Sequence, residues 1–255
     1  MREYITNLAR KGLRVDGRGL DDIRPVKVIK GVAGKAEGSA LAFIGNTRVL
    51  AGVKLEAGKS FPDNPDEGAL IVNSESIPLA SPNFESGPPK PGVVELARVV
   101  DRGIRESKAI DMKKLCITKG EAVWVVFVDT YSWNYDGNLT DTSALAAIGA
   151  LQDAKMPKYE DNKVVYEKTK NPLPLVKTPV AVTFAKIGEA IMVDPCASEE
   201  EVAKAKLTVT TSNEEINALQ KSGRGGFTQK EVSDMIENAF KRRRVFIKAL
   251  EGGKD

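Results

Sequence analysis

The chain has 255 residues, and 38 Lys and Arg against 35 Asp and Glu leave a formal charge of only +3, so it is no polyelectrolyte glove for nucleic acid and any anion binding must come from local clusters. It contains no histidine and two distant cysteines, Cys116 and Cys196, which excludes histidine triads, ordinary zinc sites and a disulfide framework. The length suits one large domain or two small ones, no stretch approaches the length needed to span a bilayer, and the start MREYITNLARKG lacks an apolar signal core, so the expected placement is a reducing cytoplasm without membrane contact.

The first eleven residues predict a short amphipathic helix through Tyr4, Ile5 and Leu8, stopped by Gly12. A polar, Arg-rich turn region follows and leads into a strand near Val26 to Val32. Ser39 to Ile44 and Thr47 to Leu55 are joined by Gly45-Asn46, a β-hairpin signal. Arg48, Leu50, Gly52 and Lys54 alternate with Val49, Ala51, Val53 and Leu55, which implies one polar and one buried face. Two loops rich in Pro, Gly and Asp, AGKSFPDNPDEGA and ASPNFESGPPKPG, flank a strand near Leu70 to Ile77. Loops of this length concentrate binding groups, but they also serve as plain surface connections. The acidic cluster Asp63, Asp66 and Glu67 reads as a solvated loop rather than a metal site.

VVELARVVDRGIRESKAI is the clearest periodic segment. Val93, Leu96, Val99, Val100 and Ile104 share one helix face, and Arg98, Arg102 and Arg105 form a narrow stripe on the other, at spacings of four and three. The stripe has two readings. It is either a solvated face whose arginines pair with Glu95, Asp101 and Glu106, or a row of guanidinium forks matched to the phosphates of a strand running along the helix.

The passage from Glu121 to Lys155 organises the rest. Ala122 to Val128 is an unbroken apolar, β-branched run, the pattern of a strand buried on both faces. Thr142 to Ala154 predicts a small-residue helix able to pack tightly against that strand, with hydroxyls at Thr140, Thr142 and Ser143 as candidate caps. Asp136-Gly137-Asn138 makes the turn between them. A strand feeding a helix N-terminus through such a turn suits an anion, because unpaired N–H groups and the helix dipole favour one. Here, however, Asp141 already lies in the first turn, and no Lys or Arg falls between Tyr135 and Asp153. The junction has the shape of a phosphate site without its cations.

Residues 155–179 are polar and proline-punctuated and read as a connection to a second half. That half predicts a two-strand pattern turning at Gly188-Glu189, a helix in SEEEVAKAK, a further hairpin in KLTVTTSNEEINALQKSG and a flexible GRGGF link. Its last helix opens on a capping box, Thr228 and Glu231, with an apolar stripe through Val232, Ile236, Phe240 and Ile247, and Lys241 to Arg244 on a solvated face. The two α+β halves show no sequence repetition.

Arg14 to Arg18 (R-x-D-G-R), Asp22-Ile23-Arg24, Gly38 to Ala40 and Gly45 to Thr47 resemble the start of RNase PH-type domains. The long run FPDNPDEGALIVNSESIPLASPNFESGPPKPGVVELARVVDRGIRES is more particular, and with ALQKSG, a Phe and the last helix it resembles the non-catalytic RNase PH-type ring subunits of archaeal exosomes over nearly the whole chain. The resemblance implies an α+β protein of the RNase PH-type fold (ribosomal protein S5 domain 2-like), with two tandem α/β halves packed together and a β-α-β-β-α order in each. The expected division is residues 1–154 with the leading helix, a connecting segment 155–179, and a second half 180–255.

The resemblance also implies a role. Active relatives bind inorganic phosphate in a strand-to-helix loop through an arginine and use aspartates in the second half. On that pattern Thr140 stands where the arginine would be, and Lys206 lies near the general-acid position, within a residue or two. The implied function is a non-catalytic ring subunit of a phosphorolytic 3′-to-5′ RNA-degrading complex. It binds and guides single-stranded RNA through Arg98, Arg102 and Arg105 and braces the catalytic partner's site. The implied partners are a catalytic RNase PH-type subunit, in a hexameric ring built as a trimer of heterodimers, and RNA-binding cap subunits. No catalytic residue, cofactor or metal is expected. The competing reading is a self-sufficient phosphate-dependent exoribonuclease that holds phosphate through Thr140, Thr142 and Ser143.

Overall fold

The structure, a computed structural model, describes residues 1–161, 163–166 and 169–252. The expected connection and second half therefore include residues 162, 167, 168 and 253–255, which lie outside the described residues.

The first sheet runs in the order β1 (Val26–Lys30), β2 (Gly38–Ile44), β3 (Thr47–Gly58), β6 (Ala122–Asn134), β4 (Ala69–Ser76), with the short β5 (Cys116–Thr118) also on β6. The expected hairpin is β2–β3, with Ile44 opposite Thr47 and Gly45 at φ +57°. β4 is parallel to β6, and helix α2 (Pro91–Glu106) makes the crossover between them. Helix α3 (Leu139–Asp153) leaves the end of β6, and a small hairpin of β7 (Lys158–Glu160) and β8 (Lys163–Val165) leads to the second half.

The second sheet has the order β10 (Ala190–Val193), β9 (Val180–Ile187), β11 (Ala205–Ser212), β12 (Glu215–Gly223), all antiparallel. Helix α4 (Ala197–Val202) joins β10 to β11, and α5 (Gln229–Leu250) closes the described fold. The segments β4-α2-β5-β6-α3 and β10-α4-β11-β12-α5 both follow the order β-α-β-β-α.

One core runs through both halves. Val49, Ala51, Val53 and Leu55 of β3 point into it, as the alternation predicts, together with Val182 and Phe184 of β9 and Phe246 of α5. Helix α3 lies between the two sheets and is buried nearly all round, which explains its uniformly small, apolar composition. Its closest fit is to β2 rather than to β6. A Cβ on Gly149 would lie 2.9 Å from Ala40 Cβ, and one on Gly38 would lie 2.3 Å from Ala150 O.

β6 departs from the expectation of burial on both faces. Val126, Val128, Thr130 and Ser132 point into the core, but Val125, Phe127 and Tyr131 are only half-buried. They share an outer face with Leu41, Phe43, Leu50 and the exposed Ile71, and no helix among the described residues covers that face. An apolar run on a strand reports what the sequence is suited to bury, not whether this chain alone buries it.

The last helix differs by rotation. Met235, Ala239, Phe246 and Leu250 are its buried residues, whereas Val232, Ile236, Phe240 and Ile247 flank them half-exposed. Ala239 is fully buried, a position that a count of large apolar side chains overlooks. Helix α1 (Arg2–Arg10) lies in sequence with the first half yet packs Ile5 and Ala9 on Ala185, Ile187 and Met192 of the second.

Candidate functional site

The turn after β6 is built from two left-handed residues. Gly137 has φ +81°, and a Cβ there would lie 2.4 to 2.5 Å from backbone atoms of Pro195, Cys196 and Ala197, so only glycine allows that approach. Asn138, at φ +56°, is the N-cap of α3 and accepts from Asp141 N at 3.4 Å. This corrects the expected caps. Thr142 Oγ1 donates back to Asn138 O at 2.9 Å, and Ser143 is fully buried with no partner for its hydroxyl.

Asp141 does not hold the helix N-terminus as an anion would. Its carboxylate turns into the second half and accepts from Thr183 N (2.8 Å), Thr183 Oγ1 (2.6 Å) and Asn138 Nδ2 (2.9 Å). Complete burial pushes Asp141 up to about 7, although these hydrogen bonds pull the other way.

Asn138 Nδ2 also reaches Asp194 Oδ1 at 2.8 Å. Asp194 is fully buried and receives Arg24 N, Nε and Nη2 at 3.0, 2.8 and 2.7 Å and Arg18 Nη1 at 3.0 Å. Burial opposes its ionisation, but the Arg24 guanidinium outweighs this and holds Asp194 below the usual carboxylate range. Arg14 makes a two-point contact with Glu199, through Nε at 2.9 Å and Nη2 at 2.5 Å. The R-x-D-G-R segment is therefore a strap that binds the second half by charge, a role its sequence does not announce.

Beside this lock lies a cleft of about 830 Å³ lined by Thr140, Tyr135, Lys206, Glu200 and the 83–90 loop. The fold thus brings together Thr140 and Lys206, two positions 66 residues apart. Lys206 Nζ donates to Glu200 Oε1 at 2.7 Å, and Tyr135 OH donates to Glu200 Oε2 at 2.8 Å. Burial and that carboxylate raise the Tyr135 phenol far above its ordinary range, so it stays a neutral donor. The lining carries four carboxylates (Glu75, Glu85, Glu200, Glu201) and two lysines, and each lysine is paired, Lys90 with Glu85 and Lys206 with Glu200. Among its described lining residues the cleft therefore offers an excess of carboxylates and no unpaired lysine.

The arginine stripe lies on the exposed side of α2. Arg98, Arg102 and Arg105 are all exposed on α2. Arg98 and Arg102 line a groove of about 540 Å³ with Pro89, Pro91, Val94 and Gln220. Arg98 has no hydrogen bond or ion pair among the described residues, and Arg102 Nη1 donates to Gln220 Oε1 at 3.1 Å. Arg105 differs. It is bound to both oxygens of Asp101 (3.0 and 2.7 Å) and to Leu70 O (2.9 Å), and it does not line the groove. Sequence reasoning missed Gln220: it lies in the ALQKSG run that supports the resemblance, but it is 118 residues from Arg102 and no local spacing links the two.

Residues 22–157 match the model of the 3′ exoribonuclease family (RNase PH), domain 1, and residues 177–242 match that of domain 2. The chain belongs to the RNase PH family. It is 49% identical to the exosome complex component Rrp42 of Methanocella arvoryzae, over 98% of this chain and 95% of that protein. The corresponding Pyrococcus furiosus protein is 47% identical, over 98% of this chain and 94% of that one. In a solved structure of the Archaeoglobus fulgidus exosome with RNA bound to the active site, one chain matches with a TM-score of 0.89 and 45% identity, covering 96% of this chain and 97% of that one. No helix among the described residues of this RNase PH-family chain is long and apolar enough to cross a membrane.

Proposed function

We propose that the chain is a non-catalytic subunit of an archaeal exosome ring, a phosphorolytic 3′-to-5′ RNA-degrading complex of the cytoplasm, and that it guides RNA and braces the catalytic partner's site. The relatives named Rrp42 and the RNA-bound exosome structure support this placement. The assembly is a trimer of heterodimers with a catalytic RNase PH-type subunit and RNA-binding cap subunits. Within the chain we divide residues 1–154 from 180–255, with 155–179 connecting them.

The observation that carries the non-catalytic reading is the pairing in the cleft. Where phosphorolysis needs a cation for inorganic phosphate, Thr140 is neutral and the charge of Lys206 is cancelled by Glu200. The self-sufficient reading needs phosphate to reach Thr142 and Ser143, which are fully buried. Chemistry supplied by the partner removes that requirement, while Arg98 and Arg102 neutralise phosphates of the incoming strand and Arg105 lends weaker support from the same face.

The test is to incubate the purified chain with RNA and inorganic phosphate, alone and after assembly with the catalytic subunit. Nucleoside diphosphate should appear only with the partner present. Release by the chain alone would overturn the proposal.

A further inference from the structure

The three arginines of α2 carry their charge in different states. Asp101 neutralises Arg105, and Arg98 is unpartnered among the described residues. Arg102 is held by a neutral acceptor, Gln220 Oε1 at 3.1 Å. An amide oxygen restrains a guanidinium without cancelling its charge, which a carboxylate in the same place would do. The amide is itself oriented, because Gln220 Nε2 donates to Glu95 Oε1 at 3.4 Å. That bond turns the amide oxygen toward Arg102. It also gives the Glu95 carboxylate a partner other than Arg98, which lies about one helical turn along α2 from it.

Gln220 sits on β12 of the second half, and the arginines sit on α2 of the first. The groove at this seam is closed on the β12 side by Gln220 and on the helix side by Arg98 and Arg102. We infer that Gln220 is a positioning residue for RNA: reaching across from the second half, it preorganises Arg102 at full charge for a phosphate of the bound strand. This rests on the reading that Arg98 and Arg102 face RNA. An untethered arginine must be ordered on binding, so the tether raises affinity without adding a charge.

The test uses the assembled ring and a single-stranded oligoadenylate, with affinity measured at several salt concentrations and a thermal melt of each variant. Arg102→Met should weaken binding and lower the log–log salt slope by about 0.7, one contact's worth on a single strand. Gln220→Met, similar in size but without the acceptor, should weaken binding about three- to tenfold with the slope unchanged, because the Arg102 charge remains. With Arg102→Met already in place, Gln220→Met should have no further effect. A packing role for Gln220 would lower the melting temperature and leave the cycle additive. Equal losses from Gln220→Met in both backgrounds, or no loss in the wild-type background, overturn the inference. An unchanged affinity and slope in Arg102→Met overturns the underlying reading of the arginines, and the inference with it.

Discussion

Asp194 and Asp141 share one donor, Asn138 Nδ2, yet their environments push them in opposite directions. Asp194 is held ionised by arginines, so its contribution to stability is present above its ordinary value of 3.8 and is lost as the pH falls below it. Asp141, pushed up to about 7, works the other way. Between about pH 4 and 7 the native chain keeps a proton that the unfolded chain has released, so this residue lowers stability as pH rises through that window. Asp141→Asn should therefore gain stability relative to the wild type by about 1.4 kcal/mol per pH unit across the window, and denaturant melts at pH 5, 6 and 7 should read it. A difference that does not change with pH would refute the assignment. Arg24→Met should cost about 3–5 kcal/mol, because it strips the main partner from a fully buried carboxylate. A shift in the denaturant midpoint measures that loss. Neither residue's role was legible in the sequence, since each depends on a partner from the other half of the chain.

At the scale of elements, α2 was readable because its two faces differ in kind, apolar against arginine, over four turns. Arg98→Glu with Arg102→Glu in the assembled ring should weaken RNA binding whatever the sequence. It should also flatten the salt dependence by about 0.7 per lost contact and slow degradation. Phosphate affinity should stay near normal. An unchanged slope in a well-folded ring would remove these arginines from the RNA path. The turn before α3 is legible as a turn but not in its capping, because the hydroxyls of Thr140, Thr142 and Ser143 compete as caps on paper while Asn138 takes the left-handed cap position. Thr140→Arg with Lys206→Asp should fail to create a phosphorolase in the lone chain. The cleft would still hold Glu75, Glu85, Glu200 and Glu201, and a working site requires several groups placed to within a fraction of an ångström. Phosphate-dependent turnover comparable with the active partner's would refute this.

For the whole molecule, the outer face of the first sheet is an unfinished apolar surface. Phe43, Leu50, Phe127 and Tyr131 are half-exposed there, beside the exposed Ile71. A chain that leaves such a face open gains stability by mass action when a partner covers it. The assembled ring should accordingly melt well above the isolated chain, and equal melting temperatures would count against an obligate assembly. The same scale accounts for the N-terminal residues. α1 and the Arg14, Arg18 and Arg24 strap belong to the first half by sequence but fasten onto the second by packing and charge.

The short strands β5, β7 and β8 carry no local signal, whereas local spacing alone settles the β2–β3 hairpin, the inward face of β3, the capping box of α5 and the arginine face of α2. Each of these is written in the spacing of near neighbours, where a period of 2 or 3.6 or a single Gly-containing turn decides the local shape. The sequence also held the missing phosphate chemistry around Thr140, which needed only a count of nearby cations. That Lys206 enters the same cleft already paired to Glu200, that Asp141 faces Thr183 rather than solvent, and that Gln220 reaches Arg102 are settled by long-range packing. Those contacts join residues far apart in the chain, and which of them meet is set by how two sheets close on α3, a packing that no local period encodes.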